Sequence, residues 1–205
     1  MILLMFSYHS ISKASIGLYS EKKSKFISYA FHVTEKKQIR NSIDYVKKNN
    51  IKADHFPYAF ILHDKTKEYG FSDDQEPSGS AGKPILSEIK AKGLVNIIII
   101  TARYFGGIKL GPSGLNKAFR ESAICALKNT EIIEYIIYST ISIIFGYEIK
   151  NNVEYFILKH DIKVIKQTYN QKCILDLKVP KKEYDQFYNF CIKNNITICP
   201  PEDNV

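Results

Sequence analysis

The sequence predicts an α+β protein with two domains, and three observations support this fold class. Segments rich in β-branched and aromatic residues alternate with amphipathic helical segments along the 205 residues. This alternation restarts after Lys128, and the residues that follow show the order βαββαβ, which is typical of a ferredoxin-like fold. We therefore place a boundary near 129–137 and expect domains at residues 1–130 and 138–205.

The first domain is expected to combine strands and helices around a buried central strand. In chain order, the expected elements are a strand at 25–33, a helix carrying Ile39, Ile43 and Val46, a strand at 55–63, a polar loop at 64–84, a short helix at 84–92, a strand at 95–102 and a helix at 115–126. The strand at 95–102 contains four consecutive isoleucines, which indicate burial on both faces.

The second domain is expected to supply four strands and two helices. These are a strand at 139–147, a helix carrying Val153, Phe156, Ile157 and His160, strands at 162–169 and 172–179, a helix carrying Tyr184, Phe187, Tyr188 and Cys191, and a strand at 196–199. Cys173, Leu175 and Leu177 alternate along the third strand, so we expect them on its buried face.

The net charge indicates the kind of partner, and the cysteine content indicates the cellular compartment. The net charge is +8, of which residues 1–137 carry +7, and this excess favours a polyanionic partner such as RNA. The four cysteines form no C-x-x-C pair, so they are expected to be free thiols in a reducing compartment. The apolar stretch 132–147 is too short and too polar to span a membrane. We expect a cytoplasmic protein without a membrane partner.

One candidate site is the acidic loop, residues 72–84, which contains three closely spaced carboxylates. Asp73, Asp74 and Glu76 are suited to hold a hard divalent cation such as magnesium. The alternative is that they cap turns and pair with Lys83 or Arg103, because Asp is a frequent turn residue. The sequence leaves both interpretations open.

The same loop has features of an anion site. Gly79 and Gly82 free the backbone to present N–H groups, Lys83 supplies a positive charge, and Pro84 suits the first turn of a helix.

A second candidate site is the glycine-rich loop, residues 103–115. It carries cations, aromatic residues and paired glycines, namely Arg103, Lys109, Tyr104, Phe105, Gly106 and Gly107. Aromatic rings beside cations are typical of proteins that stack unpaired nucleic-acid bases. The alternative is that the rings pack in the core and the glycines allow close approach to a neighbouring strand.

The sequence contains neither a metal-ligand motif nor a motif for a covalent nucleophile. The five histidines are scattered, and His55, at the start of a strand, is the one retained as a candidate. No G-x-S-x-G motif is present. We expect no metal and no cofactor.

Four segments together resemble one known family. The block SDDQEPSGSAGKP at 72–84 and the block RYFGGIKLG at 103–111 are accompanied by KSKFI at 23–27 and by Ala53-Asp54-His55. These segments resemble the IMPACT family, specifically its bacterial YigZ-like members. Gln75 and Ser113 stand where the family pattern has glycine, and Phe56-Pro57 stands where it has a His-Cys pair.

The resemblance implies both a fold and a functional setting. It implies a ribosomal-protein-like βα fold for the first domain and a ferredoxin-like fold for the second. Eukaryotic relatives are linked to translational control, and the resemblance implies no established enzyme activity.

Three functions are compatible with the sequence. The preferred hypothesis is a translation-associated regulatory or binding protein that contacts RNA or the ribosome through the basic first domain. The alternatives are an enzyme acting on a phosphorylated or peptide-like substrate and a module that binds a protein partner. The candidate ligand-binding residues are His55, Asp73, Asp74, Glu76, Ser78, Gly79, Gly82, Lys83, Arg103, Tyr104, Gly106, Gly107 and Lys109. We also expect the two loops to be neighbours, because the helix at 84–92 leads from one into the strand that ends at the other.

Overall fold

The structure is a computed structural model that describes residues 6–63 and 68–199. Its contacts divide the chain into two compact units. Among the described residues, one unit is His9–Tyr135, and the other contains residues 6–8 and 136–199. Within the described ranges, no helix is both long enough and apolar enough to cross a membrane.

The unit His9–Tyr135 is organised around a five-stranded antiparallel sheet. Its strands, in the order in which they lie in the sheet, are β2 (Ser15–Glu21), β3 (Ser24–His32), β6 (Ile97–Tyr104), β4 (Tyr58–Ile61) and β5 (Tyr69–Ser72). Its helices are α1 (Lys36–Asn49), α2 (Gly82–Ala91) and α3 (Gly111–Lys128). Two further strands, β1 (Ser7–Ile11) and β7 (Ile132–Ile136), form a separate two-stranded sheet. The expected α+β fold class is confirmed.

The central strand β6 is buried on both faces, as its four isoleucines predict. Because successive side chains of a strand point to opposite faces, Ile98 and Ile100 pack with α1. On the other face, the Thr101 hydroxyl donates to Ser28, and Ser28 donates to Ser122 of α3 at 2.8 Å. The sheet therefore lies between α1 and α3, and a chain of buried hydroxyl groups joins it to α3.

The second unit has the connectivity and strand order of a ferredoxin-like fold. Its elements are β8 (Tyr138–Phe145), α4 (Lys150–Lys159), β9 (Lys163–Tyr169), β10 (Cys173–Pro180), α5 (Tyr184–Lys193) and β11 (Thr197–Cys199). The antiparallel sheet has the order β11-β8-β10-β9. Cys173, Leu175 and Leu177 are all buried, as their alternation predicts.

The cysteines are free thiols. Burial raises the pKa of the Cys191 thiol to about 12, so this thiol stays protonated near neutral pH. A thiol in that state is a core side chain and a poor nucleophile.

The structure contains strands that the sequence patterns did not predict. The expected loop at 64–84 contains β5, and β1, β2 and β7 were also missed. β5 is only four residues long and pairs with β4 alone, so its alternation is too short to give a recognisable pattern. Residues 64–67 of that expected loop lie outside the described residues.

The domain boundary remains a prediction that limited proteolysis tests. We expect mild digestion to cut first within 129–138 and to leave two resistant fragments, because the units on either side have separate hydrophobic cores. Mass spectrometry of the early fragments gives the position of the cut. A first cut within 141–198 would contradict the proposed boundary.

Candidate functional site

The acidic loop and the glycine-rich loop are in direct contact, which confirms the prediction that they are neighbours. Nη1 of Arg103 lies 2.6 Å from each carboxylate oxygen of Glu76. The two side chains are 9% and 1% exposed, respectively. Such a pair needs good geometry, because both charges have been removed from water.

The sheet explains why these loops meet. Tyr58 on β4 pairs with Ser72 at the end of β5 and with Ile100 on β6. Because β5 and β6 are both antiparallel to β4, they run in the same direction and end on the same side of the sheet. His55, just before β4, forms an isolated antiparallel bridge with Arg103 at the end of β6.

Asp73 holds the acidic loop together from within. Its carboxylate accepts hydrogen bonds from the backbone N–H groups of Gly79, Ala81 and Gly82 at 2.7, 3.1 and 2.8 Å. Since Gly82 is the first residue of α2, the negative charge also lies at the positive end of the helix dipole. Asp73 therefore caps the turn that leads into α2. This is the turn-capping role that the sequence offered as the alternative to a cation site.

Asp74 fixes the acidic loop to the segment before β4. Its carboxylate accepts a hydrogen bond of 2.7 Å from the backbone N–H of Phe56. Asp74 and Gln75 both have left-handed backbone conformations, with φ of 43° and 71°. Glycine adopts this conformation at little cost, which accounts for the glycine that the family pattern has at position 75.

Each of the three carboxylates is engaged in a contact within the fold. Asp73 and Asp74 accept backbone N–H groups, and Glu76 is paired with Arg103. Across the described ranges, no group of three or more His, Cys, Asp or Glu side chains is arranged to hold a metal ion.

Two polar atoms beside these loops are buried without a hydrogen-bond partner. They are Nε of Arg103 and Nδ1 of His55. The Arg103 guanidinium lies 5.7 Å from the ring of Phe26 and 5.5 Å from the ring of Phe105. Aromatic contacts and a single carboxylate therefore leave part of the hydrogen-bonding capacity of Arg103 unused.

A cavity of about 450 Å³ lies between the loops. Its lining includes Glu76 and Pro77 from the acidic loop and Phe105 and Lys109 from the glycine-rich loop. Asp54, His55 and Arg103 also line it. This volume is within the range of ligand-binding cavities.

The remaining candidate residues have other positions. Ser78 and Gly79 line a shallower groove with Ser113, whereas Lys83 and Gly107 are exposed. Gly82 and Gly106 are sites of close backbone approach. A Cβ on Gly82 would lie 2.5 Å from the Ser72 carbonyl oxygen, and a Cβ on Gly106 would overlap the Lys23 backbone.

The sequence left two roles open for Tyr104 and Phe105, packing in the core and presenting an exposed ring to a ligand. Tyr104 has the first position and Phe105 the second. Tyr104 packs in the cluster beneath α1, its hydroxyl donates to Asn50 at 2.8 Å, and burial raises its pKa. Phe105 is 48% exposed and lines the cavity. Its backbone N–H donates to Asp54 at 2.8 Å.

Sequence reasoning missed Asp54 and Asn50 as site residues. Asp54 belongs to the Ala53-Asp54-His55 segment quoted above, so a signal was present. Asn50 follows α1 and has no recognisable motif, and its contact with Tyr104 depends on the fold.

Together, the fold and the loops define a class: a two-domain α+β protein whose sheet edge supports a ligand-sized cavity beside a buried ion pair. Residues 22–127 match the family model described as the Impact N-terminal domain, and the chain belongs to the IMPACT family.

The relatives extend the similarity beyond that domain. The chain is 29% identical over 174 residues to the IMPACT family member YigZ of Escherichia coli (strain K12), and the match covers 81% of this chain and 82% of YigZ. It is 31% identical over 131 residues to YvyE of Bacillus subtilis (strain 168), covering 64% of this chain and 60% of YvyE. A crystal structure of a hypothetical protein superimposes over 98% of this chain and 100% of its own, with 25% identity and a TM-score of 0.70.

Proposed function

We propose that this protein is a cytoplasmic, translation-associated regulatory protein that binds RNA, alone or in the ribosome, through the unit His9–Tyr135. The observation that carries the proposal is the arrangement of charge on the two loops. Lys83 and Lys109 are exposed, whereas the neighbouring carboxylates accept hydrogen bonds within the fold.

This arrangement reduces the repulsion that an acidic loop would otherwise exert on phosphates. The charge of Glu76 is balanced by Arg103, and the charge of Asp73 is balanced by three N–H groups at the start of α2. The excess of positive charge in residues 1–137 then favours a polyanion.

Family membership supports the translational setting, since the resemblance implies translational control for the eukaryotic members. The enzyme alternative has less support. An enzyme of this kind would need a free carboxylate as general acid or base. Asp73 and Asp74 instead accept backbone hydrogen bonds, and Glu76 is paired with Arg103.

Salt dependence tests the proposal. We expect wild-type protein to bind single-stranded RNA. The combined substitution Lys83→Ala with Lys109→Ala should reduce the magnitude of the slope of log K against log salt by about 1.4, because each phosphate contact with a single strand releases about 0.7 counterions. Arg103 is left unchanged, since its side chain is needed to balance Glu76. Fluorescence anisotropy across a salt series measures the slope.

The control is Lys193→Ala, which removes an exposed lysine from α5 in the other unit. This variant should bind RNA like the wild type. Absence of wild-type binding at low salt, or equal slopes for the wild type and the double variant, would reject the proposed RNA contact and favour a protein partner.

A further inference from the structure

The cavity between the two loops combines an aromatic wall, buried polar atoms without partners and a positive end. We infer that it receives one unpaired nucleotide of the bound RNA, and this inference rests on the proposed function. Each of the three features matches one part of a nucleotide, namely the face of the base, the edge of the base and the phosphate.

The aromatic wall is the ring of Phe105. This ring is 48% exposed and lies 5.5 Å from the Arg103 guanidinium. The hydrogen bond from the Phe105 N–H to Asp54 fixes the backbone from which the ring projects. A ring held in this way beside a guanidinium is suited to stack against a base, because every base has a π face.

The edge of a base would satisfy polar atoms that the protein leaves without partners. Nε of Arg103 can only donate, whereas Nδ1 of His55 can donate or accept according to its tautomer. Both residues line the cavity, and the Arg103 side chain is more than nine-tenths buried. A buried polar atom without a partner is costly, so a ligand that supplies the missing hydrogen bond gains affinity.

The positive end consists of Lys109 and the N-terminus of α3. Lys109, Gly111 and Pro112 line the cavity, and α3 begins at Gly111 without a hydrogen bond from a capping side chain. The first N–H groups of such a helix attract phosphate, and the nearby lysine adds to that attraction. A helix N-terminus alone would indicate only an anion; Phe105 and the buried unpartnered atoms point to a nucleotide.

The dimensions of the cavity favour a single unpaired unit. A volume of about 450 Å³ is suitable for one nucleotide but cannot enclose a base pair with both backbones. In a duplex, moreover, the base edges are paired and the faces are stacked, so they cannot contact His55 and Phe105.

Nuclear magnetic resonance titration of the full chain tests this inference, with adenosine and uridine 5′-monophosphate and inorganic phosphate as probes. We expect both nucleotides to shift resonances around the cavity and to bind at least about ten-fold more tightly than inorganic phosphate. Phe105→Ala should weaken nucleotide binding by about ten-fold or more, because stacking contributes substantially to the binding of each base.

The matched control is Phe71→Ala, which removes another exposed phenylalanine, 45% exposed, from β5 outside the cavity lining. This variant should bind the nucleotides like the wild type. Unchanged spectra away from each substitution would show that both variants are folded.

Competition between RNA forms separates this inference from the proposed function. A single strand should bind more tightly than the same strand in a duplex, and Phe105→Ala should weaken the single strand selectively. Three results would overturn the inference while the RNA contact stands: no nucleotide binding, equal binding of inorganic phosphate, or no effect of Phe105→Ala. Nucleotide binding without any RNA binding would overturn both.

Discussion

Replacing Arg103 by methionine is expected to lower the free energy of unfolding by about 3–5 kcal/mol, because it leaves the Glu76 carboxylate buried without its partner. The Glu76 side chain is only 1% exposed, so in the folded protein its charge is balanced by the guanidinium and not by bulk water. Methionine retains much of the apolar volume of arginine, which limits the loss of packing. Urea denaturation followed by circular dichroism measures the change.

The double variant Arg103→Met with Glu76→Met identifies the cause. Because it removes both charges, we expect it to recover more than half of the lost stability. The control is Glu154→Ala, which removes one partner of the more exposed Lys150–Glu154 pair and should change stability by about 0–1 kcal/mol. A loss of less than about 1 kcal/mol in Arg103→Met would show that the buried pair is not needed for stability.

Replacing Asp73 by alanine is expected to cost about 3 kcal/mol, because three backbone N–H groups lose a charged acceptor at once. Asp73→Asn should cost less, since the amide retains one carbonyl oxygen that can accept part of this hydrogen bonding. Thermal or urea denaturation distinguishes the two variants.

Asp44→Ala is the control for this substitution, because it removes an exposed carboxylate from α1 and should change stability by no more than about 0.5 kcal/mol. If Asp73→Ala were as stable as this control, the carboxylate would not organise the loop. A divalent cation that stabilised the wild type but not Asp73→Ala would restore the metal interpretation.

Local patterns predicted the elements whose signals are strong. Two local patterns identified central strands, namely the isoleucines at 97–100 and the alternation of Cys173, Leu175 and Leu177. Both patterns report burial over a short stretch of chain, so they can be recognised without knowing the fold. The short strand β5 was missed, since four residues at a sheet edge carry too little pattern.

Local patterns also found the two loops of the site, but they did not decide which carboxylate pairs with which cation. Glu76 and Arg103 are 27 positions apart, so their pairing depends on the order of the strands. The sequence left two interpretations open for the carboxylates, and only the fold assigns each one an acceptor role. For the aromatic pair, Tyr104 is the last residue of β6 and packs beneath α1, whereas Phe105 follows the strand and is exposed.

The chain of hydroxyl groups that links Thr101, Ser28 and Ser122 has a consequence for the cavity. Sliding α3 along the sheet by one turn would break this chain and leave buried hydroxyl groups without partners, which is costly. The hydroxyl chain therefore fixes the position of α3 along the sheet. α3 begins at Gly111, which lines the cavity. Hydrogen bonds made by Ser122, further along the helix, therefore also fix the position of this part of the cavity wall.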